Sequence, residues 1–268
     1  MFDYGKRTYI MGILNVTPDS FSDGGKFNEI NEALKHAKEM IKNGADIIDI
    51  GGESTRPGHI YPGHIYIEED EEIKRVIPVI NALKKEINIP ISIDTYKSKV
   101  AEEALKLGVE MINDIWGLKK DIEMASVVAR YNAYICIMHN QDGTEYHKDI
   151  MEIMKESLQE SIDLALKAGI SRDKIILDPG IGFGKTFEQN LEVLKRMSEL
   201  NELGYPILLG TSRKSVIGNV LNVEPKERLE GTIATTVLGI RDGVDIVRVH
   251  DVKENLKAAK MADAIYRR

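Results

Sequence analysis

Tyr9-Ile10-Met11-Gly12-Ile13-Leu14-Asn15-Val16 is almost unbroken in apolar side chains and carries one amide near its end. A strand with one wet face alternates polar and apolar residues. A strand that is apolar at nearly every position has both faces covered, as in a parallel sheet. Seven more runs share this character, at residues 45–51, 90–94, 110–115, 133–139, 174–178, 206–210 and 245–249. Amphipathic segments lie between them. Residues 31–41 set Ala33, Leu34, Ala37, Met40 and Ile41 at helical spacing, and 73–87, 99–107, 151–168, 190–203 and 253–265 read the same way. Gly44, Gly108, Gly169, Gly204 and Gly243 stand just before the next strand, where a helix C-terminus takes a left-handed residue. Ser98 reads as the N-cap of the third helix.

Eight strands and eight helical segments in alternation, each crossover right-handed, close into a barrel. The expected fold is therefore α/β, a single (β/α)8 TIM barrel with parallel strands, spanning residues 1–268 as one domain. An open doubly wound sheet is the alternative. A hydrophobic share of 43% is enough to fill such a core. No apolar stretch approaches the ~18–20 residues that span a bilayer. Residues 1–10 carry charge where a secretion signal is apolar, so the cytoplasm is the expected compartment, with no membrane partner. A formal charge of −7 disfavours nucleic acid as a partner. The single cysteine, Cys136, excludes an intrachain disulfide, and its setting in Tyr134-Ile135-Cys136-Ile137-Met138 reads as an inert buried strand residue.

Barrel enzymes build their sites at the C-terminal ends of the strands. Here those ends carry Asn15, Glu53, Asp94, Asn113, His139, Asp178, Ser212, Lys214, Arg248 and His250. A lone Asp or Asn after a strand is ordinarily a turn former. A polar residue after nearly every strand points instead to a convergent site at the barrel mouth. The loops after strands seven and eight, Gly210-Thr211-Ser212-Arg213-Lys214-Ser215 and Arg248-Val249-His250-Asp251, combine cations and a hydroxyl where this fold commonly holds phosphate. Arg248 and His250, two apart, share a strand face.

Two apparent motifs fail on spacing. Asp178-Pro179-Gly180-Ile181-Gly182-Phe183-Gly184-Lys185-Thr186 ends like a P-loop but has Pro179 where the first glycine belongs. His59 and His64 lack companions at zinc spacing. They belong to a tandem repeat, Pro57-Gly58-His59-Ile60-Tyr61 followed by Pro62-Gly63-His64-Ile65-Tyr66, which lengthens the loop after the second strand.

Taken with these residues, Gly12-Ile13-Leu14-Asn15-Val16-Thr17-Pro18-Asp19-Ser20-Phe21-Ser22-Asp23-Gly24-Gly25 and Asp49-Ile50-Gly51-Gly52-Glu53-Ser54-Thr55-Arg56-Pro57-Gly58 resemble the first two signatures of the dihydropteroate synthases. Ser92-Ile93-Asp94-Thr95, Ile112-Asn113-Asp114-Ile115 and the later loops follow in family order. The resemblance implies condensation of 6-hydroxymethyl-7,8-dihydropterin pyrophosphate with p-aminobenzoate, giving 7,8-dihydropteroate and pyrophosphate in folate biosynthesis. It implies a pterin pocket of Asp94, Asn113, Met138, Asp178, Phe183 and Lys214, with Asp94, Lys214 and Asp178 catalytic. It implies a pyrophosphate site of Asn15, Arg248 and His250, with Asn15 a ligand of Mg²⁺. It implies a p-aminobenzoate site of Thr55, Arg56, Pro57 and Ser215, closed by loops at about residues 17–27 and 54–68, and a homodimer. The tandem repeat adjoins that last site and is expected to bear on discrimination against sulfonamides. The rival reading is a methyltetrahydrofolate:corrinoid methyltransferase-like pterin-binding barrel, which has no need of the basic anion site. A non-catalytic barrel is a second rival, disfavoured by the intact set of polar strand ends.

Overall fold

The eight apolar runs form eight parallel strands in a computed structural model that describes residues 2–16, 25–53 and 66–267, with side chains described from residue 29 in the second stretch. They are β1 (Tyr9–Asn15), β2 (Ile47–Gly51), β3 (Ile91–Asp94), β4 (Met111–Asp114), β5 (Tyr134–Met138), β6 (Ile175–Asp178), β7 (Leu208–Leu209) and β8 (Ile246–Val249). The hydrogen-bonded order runs β6-β5-β4-β3-β2-β1-β8-β7. A parallel bridge between Leu177 and Ile207 joins the two ends, so the sheet closes on itself. The chain is a single (β/α)8 barrel, as its patterning predicts.

Around it stand α1 (Gly25–Lys42), α2 (Glu69–Glu86), α3 (Ser98–Lys106), α4 (Met124–Arg130), α5 (Ile150–Ala168), α6 (Phe187–Lys195), α7 (Ser215–Leu221), α8 (Leu229–Arg241) and α9 (Val252–Tyr266). The five helix-ending glycines all take positive φ, from 70° at Gly204 to 102° at Gly243. Two local expectations change. Residues 190–203 are not one helix, since α6 ends at Lys195 and a 3₁₀ segment, Met197–Leu203, follows. Ser98 does not cap α3: it is the first helical residue, and its N–H is taken by Asp121 Oδ2 at 2.7 Å, reaching across from the loop after β4.

Alternation along each strand divides the core in two. Tyr9, Met11, Ile47, Met111, Cys136, Ile176, Leu208 and Ile246 pack together inside the barrel. Ile10, Ile48, Ile91, Ile112, Ile135, Ile175, Leu209 and Val247 face the helices. Phe2, Tyr4, Tyr9 and Tyr134 close the N-terminal end, with the Phe2 ring centroid 4.9 Å from Tyr9 and 5.4 Å from Tyr134. Cys136 is fully buried in the inner layer, and burial raises its thiol pKa, which makes it inert. The barrel is thus a filled cylinder with one floor, and chemistry is confined to the opposite rim.

Candidate functional site

Because side chains alternate, the residue two places beyond each inner apolar residue points the same way. Two beyond Ile47, Met111, Cys136, Ile176, Leu208 and Ile246 stand Asp49, Asn113, Met138, Asp178, Gly210 and Arg248. Ser92 and Asp94 complete the layer from β3, level with Asp49 and with Asn113. Five strands, β2, β3, β4, β6 and β8, therefore bring polar side chains into the barrel mouth above an apolar floor.

Arg248 organises this layer. Its Nε donates to Asp49 Oδ2 at 2.6 Å and its Nη2 to Asp94 Oδ2 at 2.7 Å. Asn113 Nδ2 also donates to Asp49 Oδ2, at 3.4 Å. The other oxygens are left over. Asp49 Oδ1, Asp94 Oδ1, Asn113 Oδ1 and Ser92 Oγ are buried with no hydrogen-bond partner among the described residues. Buried polar atoms are ordinarily satisfied, so four orphans on three adjacent strands describe a slot shaped for a polar ligand. Burial raises the Asp94 pKa to about 7, with Arg248 opposing it and Asp49 adding to it. Asp178, level with Met138 on β5, is also raised by burial, against the pull of Lys214 and a 2.7 Å bond from the Gly180 N–H.

Lys214 closes one side. Its Nζ donates to the Ile181 carbonyl and lies 4.7 Å from the centroid of the Phe183 ring. Burial pushes its pKa down to about 8. Gly210 borders both cations: a Cβ there would meet Lys214 Nζ at 4.0 Å and Arg248 Cβ at 3.9 Å, ordinary contact distances. Next to this, Ser212 Oγ accepts from the His250 N–H at 3.1 Å and pairs with His250 Nδ1 at 2.9 Å. Asn15 is exposed at the end of β1, its Oδ1 over the ends of β2 and β3.

The structure thus brings together Asp94, Asn113, Met138, Asp178, Phe183, Lys214, Arg248, His250 and Asn15. Ser215, at the start of α7, lines an adjoining cleft of about 500 Å³ with Gly182, Lys185, Thr186, Phe187 and Arg228. Thr55, Arg56 and Pro57 lie outside the described residues, as do the closing loops over residues 17–24 and 54–65 and all of the tandem repeat but Tyr66.

Three strand-end residues do something else. Glu53 and Glu72 both grip Lys97, which is itself buried and also donates to the Ile67 carbonyl at 2.8 Å. His139 accepts from Lys185 instead of facing the slot. Arg213 is held by Asp251, at 3.0 and 2.5 Å. Conversely, Asp49 was not among the expected site residues. Its signal is a carboxylate inside Ile47-Ile48-Asp49-Ile50, at inward parity in a strand with both faces covered.

Comparison with known proteins agrees with this geometry. A family model described as "Pterin binding enzyme" matches residues 11–250. A dihydropteroate synthase of Clostridium beijerinckii is 62% identical over 268 residues, covering 100% of this chain and 97% of the relative. A crystal structure of a Clostridium difficile dihydropteroate synthase, in the presence of pteroic acid, superposes with a TM-score of 0.97 at 71% identity and full coverage of both chains. A Xanthomonas albilineans dihydropteroate synthase with 4-aminobenzoic acid gives a TM-score of 0.91 at 38% identity, covering 97% of this chain and 94% of that one. The chain belongs to the pterin binding enzymes. Within them it falls among the dihydropteroate synthases, transferases of folate biosynthesis.

Proposed function

We propose that the orphaned polar layer is the pterin slot and that the chain joins 6-hydroxymethyl-7,8-dihydropterin pyrophosphate to p-aminobenzoate there. The four unpartnered atoms on β2, β3 and β4 carry this reading. A pterin is flat and presents a guanidine-like edge of donors, which a carboxylate meets with parallel bonds. Asp178 takes that edge, Asn113 and Asp49 complete the in-plane contacts, and Met138 and Phe183 pack on the ring. Lys214 donates to the pterin oxygen and ring nitrogen.

Arg248, His250 and Asn15 hold the pyrophosphate. The described residues contain no group of three or more His, Cys, Asp or Glu side chains that would cage a metal. An exposed amide oxygen such as Asn15 Oδ1 suits a hard cation held mostly by phosphate oxygens and water, and we assign Mg²⁺ there. When bound, it neutralises phosphate charge and makes pyrophosphate a better leaving group. The C–O bond breaks with its electron pair leaving on pyrophosphate. Asp94, beside the carbon left behind, stabilises the positive charge that spreads into the ring. The aniline nitrogen then forms the C–N bond and loses a proton. Ser215, with Thr55, Arg56 and Pro57, receives p-aminobenzoate. No protein nucleophile takes part.

No helix of the described residues is long and apolar enough to cross a membrane, and we place the enzyme in the cytoplasm. We infer a homodimer through α7, α8 and α9, whose Val220, Leu221, Leu238, Met261 and Ile265 are exposed.

The test is pyrophosphate release on incubation with both substrates. The parent protein turns over, and Asp94→Asn loses about a hundredfold or more in kcat. Full activity in Asp94→Asn removes the charge-stabilising role. Methyl transfer to a corrinoid with no pyrophosphate release would favour the rival barrel.

A further inference from the structure

Lys185 is a buried cation that the reaction does not use. It lies in the turn between β6 and α6 and is 3% exposed. Its ammonium meets three acceptors: His139 Nδ1 at 2.9 Å, the Gly180 carbonyl at 3.0 Å and the Phe183 carbonyl at 3.0 Å. An ammonium has three donors, so all are used. His139 is 2% exposed and is held neutral, since burial drives its pKa to about 2. Its backbone N–H donates to the Asp178 carbonyl at 2.9 Å, which ties the end of β5 to the end of β6.

The turn is tied by the Gly180 N–H on Asp178 Oδ1 at 2.7 Å, the Gly182 N–H on Asn190 Oδ1 at 2.6 Å and the Phe183 N–H on the Gly180 carbonyl at 3.1 Å, and Lys185 adds the ties to its inward carbonyls. Gly180 has φ +68°, and a Cβ there would sit 2.0 Å from the His139 carbonyl oxygen, so the backbone passes too close for any side chain. Its curvature points two carbonyls inward, and Lys185 gathers both. Those carbonyls flank Ile181, whose own carbonyl takes Lys214, and belong to the segment that presents the Phe183 ring to the same ammonium. Burial pushes Lys185 down to about 7 while Asp178 acts to raise it and Lys214 to lower it. Asp178 and the three acceptors favour the protonated form against that burial.

We propose that Lys185, buttressed by His139, is a positioning residue that shapes the Gly180–Phe183 turn and so aims Phe183 and Lys214 at the pterin. This rests on the pterin-slot reading and assigns that slot a support two shells deep. Without the ammonium, the two gathered carbonyls turn to other partners and the Phe183–Lys214 side of the slot is lost. The anion site on β8 is built from Arg248, His250 and Ser212 and does not touch the turn.

The experiment measures calorimetric affinity for 6-hydroxymethylpterin and, separately, for inorganic pyrophosphate in magnesium buffer. Lys185→Met is expected to weaken the pterin at least tenfold and leave pyrophosphate within twofold. His139→Leu should weaken the pterin at least threefold, and His139→Asn, whose amide oxygen replaces the Nδ1 acceptor, should restore it. Pterin affinity within twofold in Lys185→Met, or equal weakening of both ligands, overturns the proposal. If Lys185→Met does not fold, the His139 pair decides. If neither Lys185→Met nor His139→Leu folds, Lys185 is a lock on the fold and the proposal fails. Lys214→Ala is the control: unchanged pterin affinity there sinks the slot reading itself, whatever Lys185 does.

Discussion

Replacing Asp178 by Asn separates what the slot contributes to binding from what it costs the fold. The carboxylate is 6% exposed, and its Oδ1 already accepts from the Gly180 N–H at 2.7 Å. An amide oxygen keeps that bond, which leaves the NH₂ group where the second carboxylate oxygen stood. A pterin edge brings donors to the same place. One charge-assisted bond is lost, worth about 1.5–3 kcal/mol, and a donor is left facing a donor, so a total near ~3 kcal/mol is reasonable. At about 1.4 kcal/mol per tenfold, affinity for 6-hydroxymethylpterin should fall roughly a hundredfold. Stability should move the other way. Burial raises the Asp178 pKa above its unfolded value. Stability is then fully present below the unfolded pKa and is lost as pH rises through the folded one. At pH 7.5 the charged side chain is thus a burden on the empty protein, and the neutral amide removes it. Urea unfolding followed through Trp116, the sole tryptophan, should place Asp178→Asn at or above the parent, with a flatter pH dependence. A variant that binds pterin within threefold of the parent would refute the edge contact. One that loses binding and more than ~2 kcal/mol of stability together would show that Asp178 is structural.

Two other perturbations follow from buried charge. Lys214 is pushed down to about 8, so its ammonium is lost as pH rises through that value; pterin affinity should drop above pH 8 in the parent, and Lys214→Arg, which stays charged, should abolish that step in a calorimetric pH series. Lys97 sits between Glu53 and Glu72, which are 6% and 1% exposed; Lys97→Met strands two buried carboxylates and should cost about 3–5 kcal/mol in urea unfolding. Burial raises the Glu72 pKa, so that loss should shrink as pH falls and Glu72 takes up a proton.

The barrel was legible because a parallel strand buried on both faces is nearly continuous in apolar residues, and each run here became a strand trimmed by a residue or two at its ends. The trimmed ends are physical. Residues 206–210 shorten to Leu208–Leu209 because Pro206 has no N–H to donate and Gly210 gives way to the turn that carries Lys214. The break between α6 and the 3₁₀ segment was not legible, because both halves keep apolar residues near helical spacing. The Ser98 cap failed because the helix starts one residue earlier than its hydroxyl suggests, with Lys97 at the N-cap, and the free N–H of Ser98 is met by Asp121, twenty-three residues on.

The site divides along the same line between local and long-range information. Position at a strand end is local, so Asp94, Asn113, Asp178, Lys214 and Arg248 could be found from the chain alone. What a strand-end residue then touches is not local. Glu53 and His139 stand at strand ends like the others, yet one holds Lys97 and the other Lys185. Asp49 shows the reverse case. It sits one layer below the rim, inside a run that reads as core, and becomes legible once inward parity is applied to Ile47-Ile48-Asp49-Ile50. A carboxylate at that depth must be paired or consumed by a ligand. Arg248 takes one of its oxygens, and the other is left with the orphans of β3 and β4. The same two carboxylates that hold the guanidinium still therefore keep an oxygen each in reserve, so in the proposed site one ion-pair network would both fix the anion-binding arginine and line the pterin slot. On the proposed reading, the two substrate halves, a flat ring and a pyrophosphate, would be recognised by side chains from strands that meet across a single barrel mouth.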